Sequence, residues 1–167
     1  MSLTDDELVA LAAELGRRLA SRRAIVTAAE SCTGGLVAGA ITSIPGSSGW
    51  FQRGFVTYSN EAKTEMLGVP TDTLARHGAV SEETARSMAE GALRASRADF
   101  AVAVTGIAGP DGGTAAKPVG MVCFGWAAGD GSAASITRRL AGDREAVRHA
   151  SVIVALQGLI DRIGPAQ

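Results

Sequence analysis

The chain has 167 residues, 46% of them hydrophobic and 20% charged, which suits one soluble globular domain, residues 1–167, with a full apolar core. A net charge of −1 provides no global field for nucleic acid or an anionic membrane, so neither is an expected partner. No apolar run reaches the roughly 18 residues that a bilayer span needs, and Met1 to Asp6 lacks the cationic start of a signal peptide, so a cytoplasmic protein is expected.

Strands and helices alternate along the chain. Met1-Ser2-Leu3 is set aside. Asp5 to Ser21 carries Leu8, Leu11, Leu15 and Leu19 at helical spacing and reads as an amphipathic helix. Ala24 to Ala28 reads as a first strand and Gly35 to Ser43 as a helix, followed by the turn-rich Ile44-Pro-Gly-Ser-Ser-Gly49. Gly54 to Tyr58 reads as a second strand. Asn60 to Leu67 reads as a helix capped by Asn60, and Thr71 to Arg76 as another, closed by Gly78. Ser81 caps a longer helix through Arg94. Asp99 to Thr105 is nearly all apolar, the pattern of a strand buried on both faces. After the Gly- and Pro-rich loop from Gly106 to Pro118 come strands Val119 to Ala128 and Ala133 to Leu140. Gly129-Asp130-Gly131 joins them as a hairpin, so they pair antiparallel. Asp143 caps a last helix through Ile163. The expected architecture is α/β: one three-layer α/β/α domain with a mixed five-stranded sheet.

The richest segment is Thr27-Ala-Ala-Glu-Ser31-Cys-Thr-Gly-Gly35, where a strand ends, turns on small residues and enters a helix. That geometry sets a hydroxyl at the carboxyl end of a strand beside free backbone N–H groups, where open α/β sheets bind ligands. The plainer alternative is that Ser31 or Thr33 caps the helix. A second Gly-rich loop, Thr105-Gly-Ile-Ala-Gly-Pro-Asp-Gly-Gly-Thr114, also follows a strand and should meet the first at one sheet edge. Together they favour a phosphate or oxyanion site, although neither matches a P-loop or a nucleophile elbow.

Lys63, in Tyr58-Ser-Asn-Glu-Ala-Lys63, would stand at the third position of a helix capped by Asn60, where the dipole opposes its charge. The dipole and any burial would lower its pKa, and a neutral lysine can act as a general base. An exposed, solvated lysine is the alternative. Arg144 and Arg148 share a face at the start of the last helix, and Arg144 invites an anion there or pairs with Asp143 or Glu145. Cys32 is a rival nucleophile, because a helix N-terminus lowers a thiol pKa. No motif selects His77 or His149 for a triad. The two cysteines and two histidines have no metal-site spacing, so no metal and no cofactor are expected, and Cys32 and Cys123 suit a reducing compartment.

Five segments in order, Ala29-Glu-Ser-Cys-Thr-Gly-Gly35, Tyr58-Ser-Asn-Glu-Ala-Lys63, Gly78-Ala-Val-Ser81, Thr105-Gly-Ile-Ala-Gly-Pro-Asp-Gly-Gly113 and Lys117-Pro-Val-Gly120, resemble the C-terminal domain of the competence/damage-inducible protein CinA. The resemblance runs from about Leu8 to Ile160. Stand-alone members of that family are nicotinamide mononucleotide deamidases. The resemblance implies hydrolysis of the mononucleotide's carboxamide to nicotinate mononucleotide and ammonia, in pyridine nucleotide recycling. It maps the family's serine onto Ser31, its lysine onto Lys63 and its tyrosine onto Tyr58 as catalytic residues. With the two loops it nominates Glu30, Cys32, Thr33, Gly34, Gly35, Asn60, Thr105, Gly106, Ile107, Ala108, Gly109 and Arg144 for substrate binding. Activity of the nucleotide-pyrophosphatase domain of full-length CinA is not expected here. The partner is then a small nucleotide substrate. The surplus of apolar positions on the last helix (Val152, Ile153, Val154, Leu156, Leu159, Ile160) fits either a homodimer interface or burial on both sides. The alternative function is a non-catalytic nucleotide- or phosphate-binding module in which Ser31 is only a cap.

Overall fold

The computed structural model describes residues 5–166; Met1-Ser2-Leu3 lies outside them. Helix α1 (Asp6–Arg22) starts where the Asp5 carboxylate accepts from the Glu7 N–H, and buries Leu8, Ala12, Leu15 and Leu19 along one stripe. Arg23, at φ 52°, closes it in the left-handed conformation. The Ile25 N–H then donates to the Asp99 carboxylate, so β1 is Val26–Glu30, two residues later than the β-branched pattern suggests. It extends past Ala28 because Ala29 and Glu30 pair with strands on both sides.

The remaining elements are α2 (Leu36–Thr42), a short 3₁₀ turn (Ser47–Gly49), β2 (Phe51–Val56), α3 (Asn60–Leu67), α4 (Thr71–His77), α5 (Glu82–Arg94), β3 (Phe100–Gly106), β4 (Met121–Ala128), β5 (Ala133–Arg139) and α6 (Arg144–Ile163). Strand β2 begins at Phe51, earlier than expected, because the Val26 N–H donates to the Trp50 carbonyl and starts the pairing there. The caps of the two longest later helices are as the sequence indicates. Ser81 Oγ accepts from the Thr84 N–H, and the Asp143 carboxylate from the Ala146 N–H. Helix α3 differs: Ser59, not Asn60, is its cap, accepting from the Ala62 N–H. A serine hydroxyl does that job as well as an asparagine amide, so propensity alone could not separate them.

The sheet order is β2-β1-β3-β4-β5, with β1 parallel to both neighbours and β4 and β5 each antiparallel to the strand before. Alternation along β3 and β4 splits the core in two. Val102, Val104, Val122, Phe124 and Trp126 join the cluster shared with α1, α2 and α6. Ala101, Ala103 and Ala127 face the other way, into a cluster with Met88, Ala89 and Ala92 of α5. That is the expected three-layer α/β/α arrangement around a mixed five-stranded sheet. The apolar surplus of α6 is consumed inside the chain. Val152, Ala155, Leu156, Leu159, Ile160 and Ile163 are buried, and Ile153 and Val154 pack partly buried on the same cluster.

The chain leaves β1 toward β2 on one side and returns to β3 on the other. The crevice at the carboxyl ends of β1 and β3 is thus the point where strand order reverses, the place such sheets open a binding site. Ser31 is the first residue past β1 at that point.

Candidate active site

The β1 pairing continues one step beyond its last residue on both flanks. The Ser31 N–H donates to the Val104 carbonyl, and the Thr57 N–H to the Glu30 carbonyl. Ser31 is thereby pinned between the ends of β2 and β3. The chain then turns, the Gly34 N–H closing on the Ser31 carbonyl, and enters α2 through Gly34 and Gly35 at φ 57° and 102°. The second of these values suits only glycine, which explains the Gly-Gly pair at this strand-to-helix turn.

Ser31 does not cap α2. Glu30, fully buried, turns its carboxylate onto the helix start and accepts from the N–H groups of Gly35, Val37 and Ala38 at 3.2, 2.8 and 3.0 Å. Its two oxygens fill the orphan donors of the first turn, with the favourable sign for the dipole. The Glu30 carboxylate thus anchors the turn that carries Ser31. Glu30→Ala would strand three N–H groups and is expected to destabilise the fold by on the order of 3–5 kcal/mol; urea unfolding measures it.

Freed from capping, the Ser31 hydroxyl has one side-chain partner among the described residues, Lys63 Nζ, at 3.1 Å. Ser31 is 8% exposed and Lys63 only 1%. Lys63 Nζ also donates to the Thr57 carbonyl at 2.9 Å and, more weakly, to the Ser59 carbonyl at 3.4 Å. With Ser59 as cap, Lys63 stands at the fourth helical position rather than the third, one residue deeper than expected. Burial, first of all, pushes its pKa below the ordinary lysine value. Nζ donates to three oxygens, the Ser31 hydroxyl and the two carbonyls; in its neutral form the amine would keep two N–H groups for the carbonyls and turn its lone pair to the Ser31 hydroxyl.

Cys32 is disfavoured as a nucleophile at neutral pH. Burial pushes its thiol up to about 11, outweighing the lowering by its own backbone N–H and by Arg148. The expected lowering by a helix N-terminus fails because Glu30 already occupies that terminus. The histidines are not paired with Ser31: His77 faces Glu83 and His149 faces Asp5.

Tyr58 is 60% exposed, and its hydroxyl accepts from Arg144 Nη2 at 3.1 Å. Arg144 Nη1 donates to the Gly109 carbonyl at 2.8 Å. One exposed guanidinium therefore joins the β2–α3 connection to the second Gly-rich loop, in place of the Asp143 or Glu145 pairing weighed from sequence. Arg148, one turn on, donates from Nε to the Cys32 carbonyl at 3.1 Å and from Nη2 to the Thr33 carbonyl at 3.2 Å. Its i+4 spacing from Arg144 is the only sequence signal for that role.

Several expected ligands are engaged elsewhere. Thr105 Oγ1 donates to the Ala79 carbonyl at 2.7 Å. Gly106 still belongs to β3; a Cβ there would lie 2.8 Å from Val122, so close packing on β4 explains this glycine. The Ile107 backbone is paired with Met121 and Gly120. Ala108 is buried in the core, and Asn60 is exposed on the first turn of α3. Thr33 Oγ1 is buried without a hydrogen-bond partner among the described residues. Among those residues there is no cluster of metal-ligating side chains, and no helix is long and apolar enough to cross a membrane.

Residues 8–163 match the family model of the CinA C-terminal domain. The chain is 58% identical over 159 residues to the nicotinamide-nucleotide amidohydrolase PncC of Escherichia coli strain K12, covering 94% of this chain and 95% of that protein. It is 56% identical over 156 residues to the protein of the same name from Pseudomonas putida, covering 93% and 96%. Among solved structures, the competence/damage inducible protein CihA of Agrobacterium tumefaciens superposes with a TM-score of 0.94 at 51% identity, covering 96% of this chain and 98% of that one. On this fold, with these motifs in this order, the chain belongs to the CinA C-terminal domain family.

Proposed function

We propose that this protein is an amidohydrolase that converts nicotinamide mononucleotide to nicotinate mononucleotide and ammonia, with Ser31 as nucleophile and Lys63 as general base. The carrying observation is the buried Nζ–Oγ pair at 3.1 Å, with Nζ also held by the Thr57 and Ser59 carbonyls. Two near full-length relatives named for nicotinamide-nucleotide amide hydrolysis supply the substrate class. The binding-module alternative needed Ser31 as a helix cap, and Glu30 fills that role.

In this reading Ser31 Oγ attacks the carboxamide carbon as its proton passes to Lys63 Nζ. The C–N bond then breaks, and Lys63 returns the proton to the departing nitrogen, which leaves as ammonia. Water adds to the acyl-serine with Lys63 again as base, releasing the carboxylate and restoring both residues. The short Nζ–Oγ distance makes the transfer direct. Tyr58, held by Arg144 at the exposed rim, contacts the substrate rather than relaying the proton. Arg144 exchanges its two neutral acceptors, the Tyr58 hydroxyl and the Gly109 carbonyl, for the nucleotide phosphate, a stronger partner because it is charged.

The test is ammonia release by the purified protein from nicotinamide mononucleotide and from free nicotinamide. Each charge-assisted phosphate contact is worth roughly 1.5–3 kcal/mol, about 10- to 100-fold in kcat/KM. Free nicotinamide should be poorer by at least that factor. Arg144→Met should raise KM for the mononucleotide by a similar factor and leave free nicotinamide unaffected. Equal efficiency on both substrates would remove the phosphate anchor, and no ammonia from either would remove the proposed function.

A further inference from the structure

The turn after Ser31 has an unusual division of its backbone groups. The carbonyls of Cys32 and Thr33 both accept from one guanidinium, that of Arg148 on α6. In a trans peptide the C=O and the following N–H point in opposite directions. Fixing those two carbonyls toward α6 therefore aims the N–H groups of Thr33 and Gly34 away from it. The Gly34 N–H closes the turn on the Ser31 carbonyl. The Cys32 N–H lies against its own thiol, and the Thr33 N–H takes no partner among the described residues. One unspent donor thus stands two residues past the serine that meets the buried lysine, in a segment free of side-chain capping because Glu30 serves the helix beyond it.

We propose that Arg148 is a positioning residue whose fork holds the 32–34 peptides so that the Thr33 N–H receives the oxyanion formed when Ser31 is acylated. The inference rests on Ser31 as nucleophile but not on the identity of the amide. Preorganised backbone donors of this kind stabilise the transition state because they need no reorientation when charge develops. The assignment divides the labour between the two arginines. Arg148, spent on carbonyls behind the first Gly-rich loop, shapes the oxyanion site, and Arg144, exposed at the second loop, is left for the phosphate.

The experiment follows phosphonylation of Ser31 by an alkyl fluorophosphonate, read by intact-protein mass with Ser31→Ala as blank. The Oγ–P bond forms, the P–F bond breaks, fluoride leaves and the hydroxyl proton goes to Lys63, while the phosphoryl oxygen takes the oxyanion's place. Losing a donor of this kind costs about 10²–10³-fold in rate, so Arg148→Met should slow labelling by about that factor. Arg148→Lys should fail to restore it, because an ammonium cannot span two carbonyls as a planar fork does. Added guanidinium should raise the Arg148→Met rate in a saturable way. The pH of the acid limb should stay where it is in the parent protein, since Lys63 keeps its partners. For the mononucleotide, kcat should fall with KM little changed.

A labelling rate unchanged in Arg148→Met or fully restored in Arg148→Lys would overturn the inference, as would a shifted acid limb or a parent Ser31 that resists the reagent. If Arg148→Met does not fold by circular dichroism, Arg148→Lys in folded protein decides by the same criteria. A parent protein labelled at Ser31 that releases no ammonia from the mononucleotide would overturn the substrate reading alone.

Discussion

Ser31→Ala is expected to lower kcat for ammonia release by on the order of 10⁴–10⁶-fold, the range for removing a catalytic serine that acts with its base as a unit. The fold should survive. Alanine fits the site, Lys63 Nζ keeps its short bond to the Thr57 carbonyl, and α2 keeps its Glu30 cap. Stability should change by no more than about 1 kcal/mol, the net worth of one hydrogen bond. Steady-state kinetics with a urea unfolding curve measures both. Cys32→Ala is the control: with a thiol pushed up to about 11, Cys32 is protonated at neutral pH, and its removal should leave turnover within a few-fold. A fully active Ser31→Ala enzyme would end the serine mechanism, and an inactive Cys32→Ala beside it would move the role to the thiol.

Lys63 should be as indispensable, with a pH signature that a structural lysine lacks. Burial disfavours the ammonium, so the folded pKa lies below the ordinary lysine value. In the proposed mechanism the active form is the neutral amine. Activity is therefore fully present above the lowered pKa and is lost as pH falls through it, giving an acid limb to kcat. The same shift weakens the fold at low pH. Between the lowered pKa and the unfolded value of about 10.4, the unfolded state binds more protons, so the Lys63 contribution to stability rises with pH. Lys63→Arg should be nearly as damaging as Lys63→Ala, because a guanidinium stays protonated and offers no lone pair to Ser31. A Lys63→Arg enzyme with near-normal turnover at neutral pH would show that only the positive charge matters.

The two halves of the proposed dyad were legible in the sequence to different degrees. Ser31 stands out because a β-branched run, two glycines and a helix-like segment surround it. Lys63 stood out for its helical position, on the premise that Asn60 was the cap. The structure moves the cap to Ser59 and gives burial as the leading cause of the pKa shift. Lys63 is buried because α3 turns that side toward the end of β1, a contact between residues 32 positions apart in sequence. The anchoring role of Glu30 was hidden for a related reason. A carboxylate beside a nucleophile looks like a ligand in one dimension, and only the three N–H distances reveal it as a helix anchor.

Local chemistry by itself determined the elements and their order: heptad-like leucines for α1, the Ser81 and Asp143 caps, the hairpin at Gly129-Asp130-Gly131 and the doubly buried β3. These are decided within a few residues by periodicity and by donors and acceptors close in sequence. The ordered motifs also determined the family. Tertiary structure alone decided which polar groups meet. The backbone carbonyls of Thr57 and Ser59 that hold Lys63, the guanidinium of Arg148 behind the Ser31 turn, and the Arg144 bridge from Tyr58 to Gly109 all join segments distant in the chain or act through groups every residue possesses. Backbone groups have no sequence signature, and long-range partners exist only once the parallel β2-β1-β3 pairing has brought three strand ends abreast.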